Sequence, residues 1–252
     1  QRWLCWKLVA YGLWAHAQIP LDQRQSGSVL LSSSNLSLQN DPGLHPASLW
    51  LLEGEALWKT QPSNNAPSCE SCHGDAQTSM RDVATKYPRK LGPDLLNLEG
   101  QINQCRVQRQ HQSAWPWESS PLLSVTSWVA RQAKGQPIDA FASPLLRQDL
   151  AAGRDLFFQR MGQINLSCAQ CHDQRWGQKL AGVVIPQAHP TGYPLYRLEW
   201  QGVGSLQRRL RNCMNAVRAE PYAQGSIELT RLELYLMWRA RGMPLEAPAL
   251  RP

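Results

Sequence analysis

The hexapeptide pattern Ser-Cys-x-x-Cys-His occurs twice in this chain. It reads Ser68-Cys69-Glu70-Ser71-Cys72-His73 and, 99 positions later, Ser167-Cys168-Ala169-Gln170-Cys171-His172. The flanks repeat as well. Gly54-Glu55-Ala56-Leu57-Trp58 matches Gly153-Arg154-Asp155-Leu156-Phe157 at the same offset. Gly135-Gln136-Pro137-Ile138 returns as Gly242-Met243-Pro244-Leu245, and Cys105 returns as Cys213, 108 positions on. A chain written twice folds as two copies of one unit. With 252 residues, each copy has about 100, enough for a small domain with its own core. The expected units are residues 49–150 and 151–252, with Gln136 to Leu150 as the linker.

Each copy closes with a helix. Ser120-Pro121 opens the first, Leu122, Val125 and Val129 keep helical spacing, and Gly135 then Pro137 stop it. Ser226 caps the second, with Leu229, Leu232 and Leu236 on one face. Arg131, Lys134, Arg239 and Arg241 sit near the helix ends, where the dipole favours cations. Strand signals are weak, Val29 to Leu38 being the one mild candidate. The fold class expected is mainly α: two small tandem helical domains related by internal duplication.

The first seventeen residues read differently. Arg2 and Lys7 precede an apolar run from Leu8 to Trp14, and Ala15-His16-Ala17 follows as a small-x-small cleavage pattern. That order is a secretory signal peptide, so the expected location is the periplasm, after cleavage near Ala17. Residues 18–48 are then an N-terminal extension, and six of the seven cysteines remain. No apolar run approaches the ~20 residues of a membrane span. The charge is uneven. Residues 1–150 hold 13 Lys/Arg against 12 Asp/Glu, whereas residues 151–252 hold 13 against 7. The second half therefore suits an anionic partner or substrate, and an exported chain rarely meets nucleic acid.

Cys-x-x-Cys-His is the attachment pattern of a c-type haem. Two thiols one helical turn apart bond the porphyrin vinyls, and the adjacent His supplies the proximal iron ligand. Zinc would leave the histidines unexplained, and a thioredoxin pair needs a βαβ context. Two covalently bound haems c are expected, one on Cys69, Cys72 and His73, the other on Cys168, Cys171 and His172. For the distal positions, none of Met80, Met161, Met214, Met237 and Met243 recurs in both copies, and neither do His45, His111 and His189. Cys105 and Cys213 do recur. Elimination assigns them as distal ligands, while a Cys105–Cys213 disulfide stays open as the alternative an oxidising compartment permits.

Around Cys213 the chain is basic, with Arg208, Arg209, Arg211 and Arg218. If this stretch is helical, Arg209 lies one turn before Cys213 on the same face. A guanidinium there lowers a thiol pKa and binds oxyanions bidentately, although a solvated basic face reads the same way.

At these residues the chain resembles the SoxA family, the larger subunits of the SoxAX thiosulfate-oxidising cytochrome c complexes. The resemblance runs from about Leu49 to Pro252. It rests on Leu52-Glu53-Gly54-Glu55-Ala56-Leu57-Trp58, both Cys-x-x-Cys-His motifs, Ile102-Asn103-Gln104-Cys105-Arg106, His189-Pro190-Thr191-Gly192-Tyr193-Pro194, Arg211-Asn212-Cys213 and Arg218-Ala219-Glu220-Pro221-Tyr222. It implies a di-haem member with a mainly α fold, two tandem cytochrome c-like domains related by internal duplication. Cys105 would be the distal ligand of the first haem. Cys213 would be the distal ligand of the second and the catalytic residue, carried as a persulfide. Arg209 would bind substrate, with Arg218 beside it. The implied reaction is an L-cysteine S-thiosulfotransferase step that joins thiosulfate to a cysteine of the carrier SoxYZ. Two electrons leave through a SoxX-type mono-haem cytochrome partner, in a heterodimer, to a downstream cytochrome c. A di-haem electron carrier without chemistry of its own, or a di-haem peroxidase, are the rival readings.

Overall fold

The structure is a computed structural model and describes residues 19–139, 143–180 and 182–252. The expected signal peptide and Cys5 lie outside these residues. The extension enters as short turns and helix α1 (Ser33–Asn40). The first half comprises α2 (Ser48–Lys59), α3 (Cys69–His73), α4 (Ala76–Ser79), the hairpin β1 (Arg89–Leu91) and β2 (Asp94–Leu96), α5 (Leu98–Gln108) and α6 (Ser120–Gln132). The second comprises α7 (Arg147–Phe158), α8 (Cys168–His172), β3 (Lys179–Leu180), β4 (Val183–Val184), β5 (Leu195–Arg197), β6 (Gly202–Gly204), α9 (Leu206–Ala216), α10 (Ile227–Arg239) and β7 (Ala249–Arg251).

The duplication is visible element by element. α2 packs on α6, and α7 packs on α10, through a glycine in each pair. A Cβ on Gly54 would stand 2.2 Å from Ser124 O; one on Gly153 would stand 2.0 Å from Arg231 O. The two crossings thus use the same backbone approach at repeat-equivalent positions, which only glycine permits. Polar caps repeat too. Asn97 Oδ1 accepts from Gly100 N (2.9 Å) at the start of α5, and Ser205 Oγ from Arg208 N (3.1 Å) at the start of α9. The segments after α6 and α10 pair antiparallel through a Pro137–Pro244 bridge. Gly135 N bonds Leu245 O (2.7 Å) while Gly242 N bonds Ile138 O (2.9 Å), so equivalent residues meet about a local pseudo-twofold. Met237, Met243 and Leu245 are buried with Val125 and Val129 of α6, so the halves share one core.

The helical expectations for α6 and α10 hold, with Ser226 Oγ accepting from Leu229 N (3.3 Å). Ser120 does not cap α6, however. Its hydroxyl donates to Glu53 Oε2 (2.6 Å), as does that of Ser124 (2.6 Å). Helix α7 runs through position 150, so Arg147 to Leu150 of the expected linker are helical. The expected strand at Val29–Leu38 is a turn followed by α1, because Ser32 Oγ accepts from Asn35 N (3.2 Å) and starts a helix there. The strands that do form are short and depend on distant partners. β5 pairs antiparallel with β6 and parallel with β7.

Candidate functional site

Helices α3 and α8 are single capped turns. Ser68 Oγ accepts from Ser71 N (3.0 Å), and Ser167 Oγ from Gln170 N (3.3 Å). Each turn sets its two cysteines three residues apart on one helical face, with the histidine at its end. In the first half, Cys69, Cys72, His73 and Cys105 line a cavity of about 600 Å³. Trp58, Ile102 and Val129 give it an apolar lining. A largely apolar cavity flanked by two thiols, an imidazole and a third sulfur fits a thioether-linked haem. It does not fit a bare ion, since no three His, Cys, Asp or Glu side chains converge among the described residues. Burial also pushes the Cys69 thiol up to about 11 and Cys168 up to about 12.

The six described cysteines are all unpaired, so Cys105 and Cys213 are not bridged. Cys105 lies near Cys69, and Cys213 near Cys168, each close enough to raise its neighbour's thiol pKa further. Among the other ligand candidates, Met80 lines the first cavity, whereas Met237 and Met243 are core residues. His45 and His189 are buried, with Nδ1 engaged by Ala47 N (3.1 Å) and Gln25 O (3.0 Å) respectively.

In the second half, His172 Nδ1 lies 2.7 Å from Pro186 O, and burial lowers the imidazole pKa, which keeps the ring neutral. Asp173 pairs with Arg239 at 2.5 Å, both side chains almost fully buried. Among the described residues, Arg239 Nε and Nη1 find no hydrogen-bond partner. A buried guanidinium with two free donors beside His172 suits the anionic edge of a haem. The first half has Gly74 and Gln132 at the equivalent positions.

Helix α9 carries Cys213 and the arginines. Arg208 stacks over Trp200 (4.3 Å) and lies 4.0 Å from Glu118 Oε2. Arg211 Nη1 donates to Tyr222 O. Arg218 lies beyond the helix end, exposed. Arg209, half-buried, makes no hydrogen bond or ion pair among the described residues, and its charge acts on Tyr193 and His172. A further correspondence went unnoticed in the sequence. Gln101 occupies the position of Arg209 in the first copy, and its Nε2 donates to Cys105 Sγ (3.3 Å). Tyr87 OH reaches Gln101 Oε1 (3.5 Å), and Tyr193, its counterpart, sits beside Arg209 and Cys213. Burial pushes both phenols up to about 12. The signal was available, since the 108-residue offset of the cysteines also aligns Gln101 with Arg209.

A family model described as SoxA/TsdA, cytochrome c domain matches residues 53–138 and 152–245. The chain belongs to the SoxA/TsdA cytochrome c family. Covalently bound haem c is the cofactor that this domain type implies. The chain is 33% identical over 236 residues to the L-cysteine S-thiosulfotransferase subunit SoxA of Pseudaminobacter salicylatoxidans, covering 92% of this chain and 82% of that one. It is 28% identical over 240 residues to the subunit of the same name from Rhodovulum sulfidophilum, covering 94% and 83%. The crystal structure of SoxXA from P. pantotrophus contains a similar chain, with a TM-score of 0.87, 27% identity, and 91% and 87% of the two chains covered. The resemblance to SoxA and the helical cytochrome c-like architecture read from the sequence are both borne out. No helix among the described residues is long and apolar enough to cross a membrane.

Proposed function

We propose that this chain is the di-haem SoxA subunit of an L-cysteine S-thiosulfotransferase, which conjugates thiosulfate oxidatively to a cysteine of a SoxYZ-type carrier in the periplasm. The observation that carries this reading is the difference between two otherwise matching sites. Both bring a cysteine near a Cys-x-x-Cys-His turn, but only the second puts an uncommitted arginine one turn before that cysteine.

The overall step joins a carrier thiolate to the sulfane sulfur of thiosulfate. One sulfur–sulfur bond forms, two electrons leave, and the carrier cysteine ends as an S-thiosulfonate monoanion. A carrier thiol would also release one proton. Haem c, when bound, supplies the acceptor through which the electrons depart to a SoxX-type mono-haem partner and a downstream cytochrome c. In this reading His73 with Cys105, and His172 with Cys213, would hold the two haem irons. Arg209 binds the sulfonate oxygens in a bidentate fork, which fixes the dianion with its sulfane sulfur toward Cys213. Arg218, exposed past the end of α9, adds positive potential at the entrance. Cys213 carries the reacting sulfur: its thiolate bonds the sulfane sulfur with the loss of the two electrons, giving Cys213–S–S–SO3−, and the carrier thiolate then takes the S–SO3 group by exchange and frees the Cys213 thiolate. The first site, with a neutral Gln101 in place of the arginine, binds no dianion.

Replacing Cys213 by Ala should abolish conjugation of thiosulfate to the carrier while both haems remain covalently attached, as counted by intact mass. Full activity in that variant would leave an electron carrier as the better description.

A further inference from the structure

We propose that the N-terminal extension clamps the proximal side of the second haem site and sets the donor strength of His172. This inference rests on the second motif carrying haem. The loop 186–189 has no regular structure, yet several of its polar groups are engaged. Pro186 O faces His172 Nδ1 at 2.7 Å. Gln187, 2% exposed, meets the extension with both ends of its amide. Its Oε1 accepts from Gln25 N (2.8 Å), and its Nε2 donates to Gln23 O (3.2 Å). Its own carbonyl accepts from Arg239 Nη2 (3.3 Å). His189 Nδ1 donates to Gln25 O (3.0 Å).

The extension is itself held at several points. Arg24 Nη1 donates to Arg241 O (2.7 Å), just beyond α10. Ser26 and Ser28 donate to Glu246 Oε1 (2.6 and 2.8 Å). Gln39 Oε1 accepts from Leu250 N (3.0 Å) and Arg251 Nη1 (2.7 Å). The carbonyl that polarises His172 is thus fixed from outside the repeat unit. Among the described residues no hydrogen bond engages the His73 ring, which instead lies 5.7 Å from the Trp58 ring. The clamp therefore distinguishes the two sites.

An Nδ1–H···O=C bond gives the imidazole partial imidazolate character and makes it a stronger donor to iron. A stronger donor stabilises the oxidised metal, so a firmly held Pro186 carbonyl lowers the potential of the second haem. Loosening it raises that potential.

The test uses the full chain with its haems attached. Gln187→Ala removes both side-chain bonds to the extension. The expected result is an unchanged haem count by intact mass, an upward shift of the second haem in a potentiometric titration, and an unmoved first haem. Gln187→Glu keeps the acceptor for Gln25 N and loses the donor, so its shift is smaller; it also serves if the alanine variant does not fold. Gln39→Ala detaches the extension at its other end and should lower the melting temperature without moving either potential. Unmoved potentials in Gln187→Ala, or an equal shift in Gln39→Ala, would overturn the clamp. A wild-type mass showing one haem would instead remove the di-haem reading, before any potential is measured.

Discussion

Substituting Arg209 by Gln gives the second site the side chain that the first site already has at Gln101. The change removes one positive charge and a bidentate donor while keeping a polar side chain of similar reach. Arg208 and Arg211 cannot substitute for it, since Trp200 and Glu118 hold the one and Tyr222 O the other. A charge-assisted hydrogen bond to an anion contributes ~1.5–3 kcal/mol. Losing that much lowers kcat/KM by ~10- to 150-fold. The assay is thiosulfate-dependent conjugation to a carrier thiol, followed by intact mass, on protein with matched haem content. Arg209→Lys should fall between wild type and Arg209→Gln, because it keeps the charge but not the fork. Arg208→Gln should stay near wild type. The reasoning fails if Arg209→Gln keeps full kcat/KM, or if Arg208→Gln is as damaging.

The glycine crossings predict that Gly54→Ala and Gly153→Ala each destabilise the fold by ~1–3 kcal/mol, read as a fall in melting temperature, because the new methyl meets a carbonyl oxygen at 2.2 or 2.0 Å. Glu99 and Glu233 are buried near Asn97, whose Nδ2 donates to Glu233 Oε1 (3.3 Å), and burial raises both carboxyl pKa values above the ordinary 4.5. Their neutral forms are the ones the interior accepts, so this stabilisation is complete below pH 4.5 and is lost as pH rises through the folded values. Melting temperature against pH should therefore fall on the neutral side, and Glu233→Gln should flatten the slope. Arg239→Met strands Asp173 in the interior and should cost ~3–5 kcal/mol in a chemical denaturation titration.

What the sequence made legible was whatever rests on local chemistry. The two Cys-x-x-Cys-His turns, the Ser226 cap and the apolar spacing of Leu229, Leu232 and Leu236 are all readable within a few residues. So was the isolation of Cys105 and Cys213 as a recurring pair. The strands were not legible, because three-residue segments such as Leu195–Arg197 acquire their structure from partners dozens of residues away. The extension misled because Val29 and Leu30 suggest a strand, while Ser32 decides the matter by capping α1. Its contact with Gln187 runs through main-chain groups of Gln23 and Gln25, which carry no sequence signature. The burial of Glu99 and Glu233 leaves no local sequence signal, since acidic residues are almost never fully buried unless paired. Separating Arg209 from Arg208 and Arg211 required the positions of Trp200, Glu118 and Tyr222.

Electron paramagnetic resonance of the oxidised, fully loaded protein, compared with its Cys213→Ala variant, addresses the sulfur on α9 most directly. The account predicts two low-spin thiolate-ligated signals in the wild type and the disappearance of one of them in the variant. A spectrum that the substitution leaves intact would contradict it.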